Sequence, residues 1–182
     1  MERVLFAGLG GSGKTTLARA VAARLDLPLT ILDDLYYGPG PAMRDDFVDA
    51  IDAVTSGSRW VIDSQGAPLS SPAPPIHREL MWDRADTVIW LDYPKWVVLA
   101  RGFKRHVMRV LTRQPLWHGY VERFRDWFDP GHPLRRAWSS HRLRRVQLTE
   151  RTTDPRWQPL TVVRLRHPGE AAALLAALPQ PD

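Results

Sequence analysis

The octapeptide Gly8-Leu9-Gly10-Gly11-Ser12-Gly13-Lys14-Thr15 matches G-x-x-x-x-G-K-[ST] at every fixed position, and no other feature constrains the fold as tightly. Glycines here let successive backbone N–H groups turn toward one anion, through conformations that side chains forbid. A helix starting at the lysine adds unsatisfied N–H groups and the positive end of its dipole. Such a loop needs a strand before it and a helix after it. Both are legible: Arg3 to Ala7 reads as a buried strand, and Leu17, Ala20, Val21 and Leu25 recur at helical spacing within Lys14 to Leu25. Lys14 is then placed to reach the β- and γ-phosphates of a nucleotide, and the Thr15 hydroxyl to ligate Mg²⁺. Gly8, Gly10, Gly11, Ser12, Gly13, Lys14, Thr15 and Thr16 are the expected binding residues for Mg·ATP.

The rest of the chain repeats the strand-then-helix alternation. Leu29 to Leu32 reads as a second strand that delivers Asp33 and Asp34 to its C-terminal end, and Tyr36 to Pro41 as a Gly/Pro loop. Asp45 to Ser56 has a helical apolar face of Phe47, Val48, Ile51 and Val54. Trp60 to Ile62 is a third strand ending at Asp63, Ser64 to Pro75 a loop, and Thr87 to Leu91 a fourth strand ending at Asp92. A helix is expected from just after Pro94 through Val110, and another over Arg136 to Leu148. Between them, 112–135 mixes Trp, Arg, Pro and Gly without a period, as a flap would. Thr161 to Leu165 is the last strand and Glu170 to Leu178 an alanine-rich closing helix. The expected fold class is α/β: one domain over 1–182, a three-layer α/β/α sandwich with five parallel strands and a small helical, Arg-rich lid at about 108–140.

Charge is unevenly spread. Residues 101–145 hold twelve Lys/Arg against three Asp/Glu, and 22 of the chain's 25 basic residues are arginine, the side chain suited to bidentate phosphate contact. A chain without cysteine excludes disulfides and thiolate metal sites. No signal-peptide layout and no membrane-length apolar run is visible, so a cytoplasmic location is expected and a membrane partner is not. Whether the chain is a monomer or a homodimer is not written in the sequence.

Beyond the phosphate loop the chain resembles the adenylate kinase-like branch of P-loop kinases, especially small bacterial proteins labelled adenylate kinases or DNA topology modulation proteins. Two further segments carry the resemblance. Trp60-Val61-Ile62-Asp63-Ser64-Gln65 is similar to the strand ending in Asp-Gly, which implies that Asp63 holds Mg²⁺ near Thr15. Ser64 stands where the family has glycine, and no Phe-Pro-Arg follows. Leu91-Asp92-Tyr93-Pro94 followed by Arg101 and Arg105 is similar to the segment whose first arginine stacks on adenine and whose second touches the phosphates. The resemblance also implies that His167-Pro168-Gly169 lines the adenine pocket with backbone. It further implies that a flap helix supplies arginines, for which Arg136, Arg142 and Arg145 are candidates.

Spacing alone puts Arg101, Arg105, Arg109 and Arg113 on one helical stripe, where four like charges repel unless an anion neutralises them. Asp33 and Asp34 stand at the sheet edge where open α/β folds bind ligands, and one of them, with a preference for Asp34, is the expected catalytic base. Asp92 is read either as a metal-ordering acid or as a cap for the helix after Pro94. Tyr36, Tyr37, Trp117, His118 and Tyr120 are candidates to face an acceptor, and His118 and His132 candidate flap residues. Trp82, Trp90 and Trp96 read as packing. The six histidines show no metal-ligand spacing. The leading functional reading is an ATP-dependent phosphotransferase acting on a small-molecule hydroxyl or phosphate, such as a nucleoside-like compound or an antibiotic. The alternatives are a nucleic-acid-associated P-loop ATPase or regulator, for which no recognition motif appears, and a nucleoside monophosphate kinase.

Overall fold

A computed structural model of the chain describes residues 1–36, 44–64, 76–113, 121–129 and 131–179. Five parallel strands form one sheet: β1 (Arg3–Gly8), β2 (Leu29–Ile31), β3 (Trp60–Asp63), β4 (Thr87–Leu91) and β5 (Thr161–Leu165), in the spatial order β2-β3-β1-β4-β5. The central strands are apolar runs because each of their faces is covered by helices. Val4, Phe6, Val61, Ile89 and Leu91 point to one side, against Leu17, Ala18 and Val21 of α1 (Lys14–Leu25) and Val97 and Val98 of α5 (Lys95–Thr112). Leu5, Ala7, Ile62, Val88 and Trp90 point to the other. There they meet Phe47 and Ile51 of α3 (Phe47–Thr55), Met81 and Trp82 of α4 (Ile76–Arg84), and Trp157. The three-layer α/β/α architecture and five-stranded parallel sheet agree with the sequence reading.

Register sets up the site. Asp63 pairs with both Phe6 and Ile31, and Gly8 pairs with Leu91, so the phosphate loop and Asp63 leave the sheet at one edge. Two long helices then build the other wall. α6 (Pro133–Thr153) starts against α5 at Gly102, where an added Cβ would come within 2.9 Å of the Leu134 side chain. α7 (Pro168–Ala177) closes over α1.

Several elements differ from expectation. β2 ends at Ile31, and Asp33 and Asp34 occupy the first turn of a short helix α2 (Leu32–Tyr36), still at the sheet's C-terminal edge. α4 has no counterpart in the sequence reading. Polar residues interrupt its pattern, and burial of His77, Met81 and Trp82 against the sheet is what makes it a helix. α6 is longer than 136–148 at both ends, with Pro133 at its first turn. Among the described residues of the expected flap lie a short 3-10 helix, Phe124–Phe128, and the start of α6. Trp82 and Trp90 are core residues, but Trp96 is 72% exposed, so the packing role assigned to it is wrong. Asp92 does not cap α5: no side chain caps that helix, and the Asp92 carboxylate accepts from Arg164 at 2.6 Å and pairs with Arg145 at 3.1 Å. Tyr37, Trp117, His118 and Tyr120 lie outside the described residues. No described helix is long and apolar enough to cross a membrane.

Candidate active site

The loop is shaped by backbone needs that only glycine meets. Gly8 has φ 135°, and a Cβ there would stand 2.7 Å from the Leu91 carbonyl oxygen of the neighbouring strand. Gly13, at φ 93°, is the N-cap of α1, so the α1 amides open into the loop without a side-chain cap competing for them. The Ser12 hydroxyl and the Lys14 ammonium each donate to the Leu9 carbonyl at 2.8 Å, which closes the loop on itself.

Lys14 is 4% exposed. Burial lowers its pKa, the nearby Asp63 and Asp33 push it back up, Arg144 and Arg105 push it down again, and it settles at about 8. The charges felt at the ammonium are two carboxylates from β3 and α2 and two guanidiniums from α5 and α6. Thr15 donates its hydroxyl to Asp63 Oδ2 at 2.5 Å, while Asp63 Oδ1 is buried without a hydrogen-bond partner. A buried, half-satisfied carboxylate beside a threonine hydroxyl has the chemistry of a hard-cation site. These two residues fit the magnesium that the loop implies.

A cavity of about 1130 Å³ opens from the loop. Gly10 to Thr16, Asp33, Asp34, Arg101, Arg105, Arg109 and Pro168 all border it. Arg101 donates to the Ser12 carbonyl at 2.8 Å and stands 5.3 Å from the centre of the Tyr93 ring, so it clamps the loop from the α5 side. Arg105 is held below its usual pKa by burial and by Arg109. Arg113 departs from the stripe: it is the left-handed C-cap of α5, at φ 49°. His167 caps α7, accepting from Gly169 N–H at 3.0 Å, and Pro168 follows it at the cavity wall. Asp33 is half-buried and within the field of Lys14, whereas Asp34 is exposed.

The flap-helix arginines resolve differently from expectation. Arg136, Arg142 and Arg145 are exposed, and Arg145 is engaged by Asp92. Arg144, outside the expected set, is the α6 arginine whose charge is felt at Lys14. The signal was available, since His141, Arg144, Leu148 and Arg151 share one helical face, and that face is the inward one.

A second group was invisible to spacing arguments. His106, Glu122 and His132 are buried together, their nearest ligand-type atoms within 4.8 Å of one another. His106 Nδ1 lies 2.6 Å from Glu122 Oε1, His132 Nε2 lies 3.0 Å from it, and Trp127 Nε1–H donates to it at 3.0 Å. His132 Nδ1 accepts from the Leu134 N–H at 3.3 Å. The proton of a neutral ring therefore sits on Nε2, where a metal would need the lone pair. This is a hydrogen-bonded knot that ties α5, the segment after it and the start of α6 together. It lines the same cavity, one residue beyond Arg105.

No family model and no curated protein matches the chain. Solved structures do match it. A shikimate kinase from Acinetobacter baumannii, in complex with shikimate, aligns with a TM-score of 0.55 at 16% identity, covering 97% of this chain and 89% of that one. A shikimate kinase from Bacteroides thetaiotaomicron aligns with a TM-score of 0.51 at 16% identity, covering 96% and 94% respectively. The chain has the P-loop kinase fold. At such identities the likeness speaks for architecture, and the chemistry has to be argued from this chain's own residues.

Proposed function

We propose that the protein is an ATP-dependent kinase of a small molecule, transferring the γ-phosphoryl group to a hydroxyl. One observation carries this reading. A buried lysine at the phosphate loop shares its surroundings with a metal-type pair, Thr15 and Asp63, with a further carboxylate, Asp33, and with arginines from two helices, beside a cavity large enough for a nucleotide and an acceptor. The shikimate kinases that share the fold support the reading by analogy.

In this mechanism the loop amides and Lys14 hold the β- and γ-phosphates. Thr15 and Asp63 would hold magnesium, which supplies charge neutralisation when bound. Arg105 and Arg144 face the charge that spreads over the transferring group, and Arg101 fixes the loop they act on. The acceptor oxygen forms its bond to the γ-phosphorus as the bond to the β,γ-bridging oxygen breaks, and ADP leaves. The hydroxyl proton passes to Asp33, which we favour over Asp34 because it is the one in the field of Lys14. A coupled ADP-release assay over pools of small hydroxyl compounds tests the proposal. A turnover that needs one pool member and vanishes in Lys14→Ala supports it. Absence of saturable nucleotide binding to the folded chain would end it.

A further inference from the structure

The knot behind the main cavity leaves one atom unexplained. Three N–H groups meet the Glu122 carboxylate. Trp127 Nε1–H and His132 Nε2–H each reach Oε1 at 3.0 Å, and His106 Nδ1 lies 2.6 and 2.8 Å from the two oxygens. Burial raises the Glu122 carboxyl, the hydrogen bonds from His106 and His132 outweigh it, and the group is ionised at neutral pH. An ionised carboxylate only accepts, so the His106 proton sits on Nδ1. Burial also holds the His106 imidazole below its usual 6.5, against the pull of Glu122, so the ring is neutral and Nε2 carries a lone pair. His132 satisfies both of its nitrogens, on Glu122 and on the Leu134 N–H. His106 does not: its Nε2 is buried with no hydrogen-bond partner among the described residues. The ring is 2% exposed, gripped by the carboxylate and packed on the His132 ring at 4.7 Å. It borders the cavity that opens from the phosphate loop. On α5 it stands one helical turn, about 5.4 Å, beyond Gly102, and a Cβ added at loop residue Gly11 would lie 3.7 Å from the Gly102 Cα. A buried acceptor in a fixed orientation, with no donor of its own, is shaped for a donor that arrives with a ligand.

We propose that His106 Nε2 sets acceptor specificity, by accepting a hydrogen bond from a second O–H or N–H of the molecule that is phosphorylated. The acceptor is therefore a polyol or an amino alcohol, with one hydroxyl reacting and another donor held by His106. This deepens the kinase reading and rests on it. Two walls of the cavity divide the ligands between them. Pro168, Ala171, Ala172 and Leu175 of α7 make an apolar surface suited to a nucleotide base, whereas the His106 side is polar and suits a hydroxylated acceptor. A donor engaged there turns the acceptor as well as holding it, which brings its other hydroxyl to the γ-phosphate in one orientation.

The test follows the ring nitrogens of the full chain by nuclear magnetic resonance, with histidine isotope-labelled. In the free protein His106 should show a protonated Nδ1 and an unprotonated Nε2. A non-hydrolysable ATP analogue should leave the Nε2 resonance in place. A panel of linear and cyclic polyols and amino alcohols is then added to the analogue-loaded protein. The member that supports Lys14-dependent turnover should move Nε2 upfield, as a hydrogen bond to its lone pair does. Among the deoxy analogues of that member, one should lose about tenfold or more in kcat/KM on the unmodified enzyme. In His106→Phe the KM for the parent acceptor should rise by about as much, the nucleotide affinity should hold, and that deoxy analogue should lose nothing further. A merely structural ring would leave the discrimination intact. The resonance and the deoxy series need no variant, so they decide the matter even where His106→Phe does not fold. A protonated Nε2 in the free protein, a shift produced by the nucleotide analogue alone, a panel with no member turned over, or a turned-over acceptor that leaves Nε2 unmoved would each overturn this inference while leaving the kinase reading standing. Failure of the analogue itself to bind would bring down both.

Discussion

The phosphate loop and the wall facing it are built on opposite principles. The loop is local: within eight consecutive residues it bends, caps α1, closes on the Leu9 carbonyl and places its lysine. The facing wall is assembled from α5, the start of α6 and the segment around Glu122, and its side chains come from stretches well apart in the chain. The loop's shape follows from glycine backbone freedom. The wall exists only where tertiary contacts hold charged groups that would otherwise separate. This contrast predicts that changing the loop's functional side chain, Lys14, costs chemistry and spares the fold, whereas wall substitutions trade stability against binding.

The largest effect should come from Lys14→Ala, with turnover down by about a thousandfold or more and circular dichroism and melting temperature little changed. A large loss of stability would break the contrast, because Lys14 would then be supporting the fold. Next, Asp33→Asn should lower kcat by about 10²–10⁴-fold, and Asp34→Asn far less. The reverse order would restore the preference for Asp34 that the sequence suggested.

The pH dependence of Lys14 sharpens the comparison further. Its folded pKa of about 8 lies below the unfolded value of 10.5. Buried charge thus costs stability below pH 8, and this cost fades as pH rises toward 10.5. Nucleotide phosphates need the charged form. Affinity should therefore fall by up to about tenfold per pH unit above pH 8 while the unliganded protein gains stability, two opposite trends readable by calorimetry and thermal melts.

On the wall side, Glu122→Gln should destabilise by about 1–3 kcal/mol, since Glu122 accepts from His106, His132 and Trp127 at once. The smallest effect should be mild acid weakening of the same knot. Burial holds the His106 imidazole below its usual 6.5, against the pull of Glu122, so from pH 6.5 downward the unfolded chain takes a proton that the folded one resists. Burial raises Glu122, but hydrogen bonds from His106 and His132 outweigh it and hold the carboxyl below its usual 4.5, so its contribution is lost as pH falls through that region. Both shifts have the same sign. Stability should decline steadily from pH 7 to pH 4 in chemical denaturation, and a flat profile would show that the knot does not contribute to stability.

Much of the donor side was legible in advance. The strand before the loop, the helix after it and the nearness of Asp63 to Thr15 follow the sequence pattern, whereas Arg101, expected to stack on adenine, donates to the Ser12 carbonyl. Errors gathered on the other side. The polar pattern of α4 conceals a buried face, Asp92 reads as a metal-ordering acid or a cap because its arginine partners lie 53 and 72 residues away, and no motif separates Arg144 from its exposed neighbours.

By itself, the sequence determined the elements whose signal is local: backbone conformations open only to glycine, apolar runs that must be covered on both faces, and a lysine positioned by the loop it follows. Tertiary structure alone decided which charges meet. Asp92 with Arg145 and Arg164, and His106 with Glu122 and His132, are brought together from segments far apart in the chain. Periodicity along a chain records which face of a helix is apolar, but carries no record of what that face will touch.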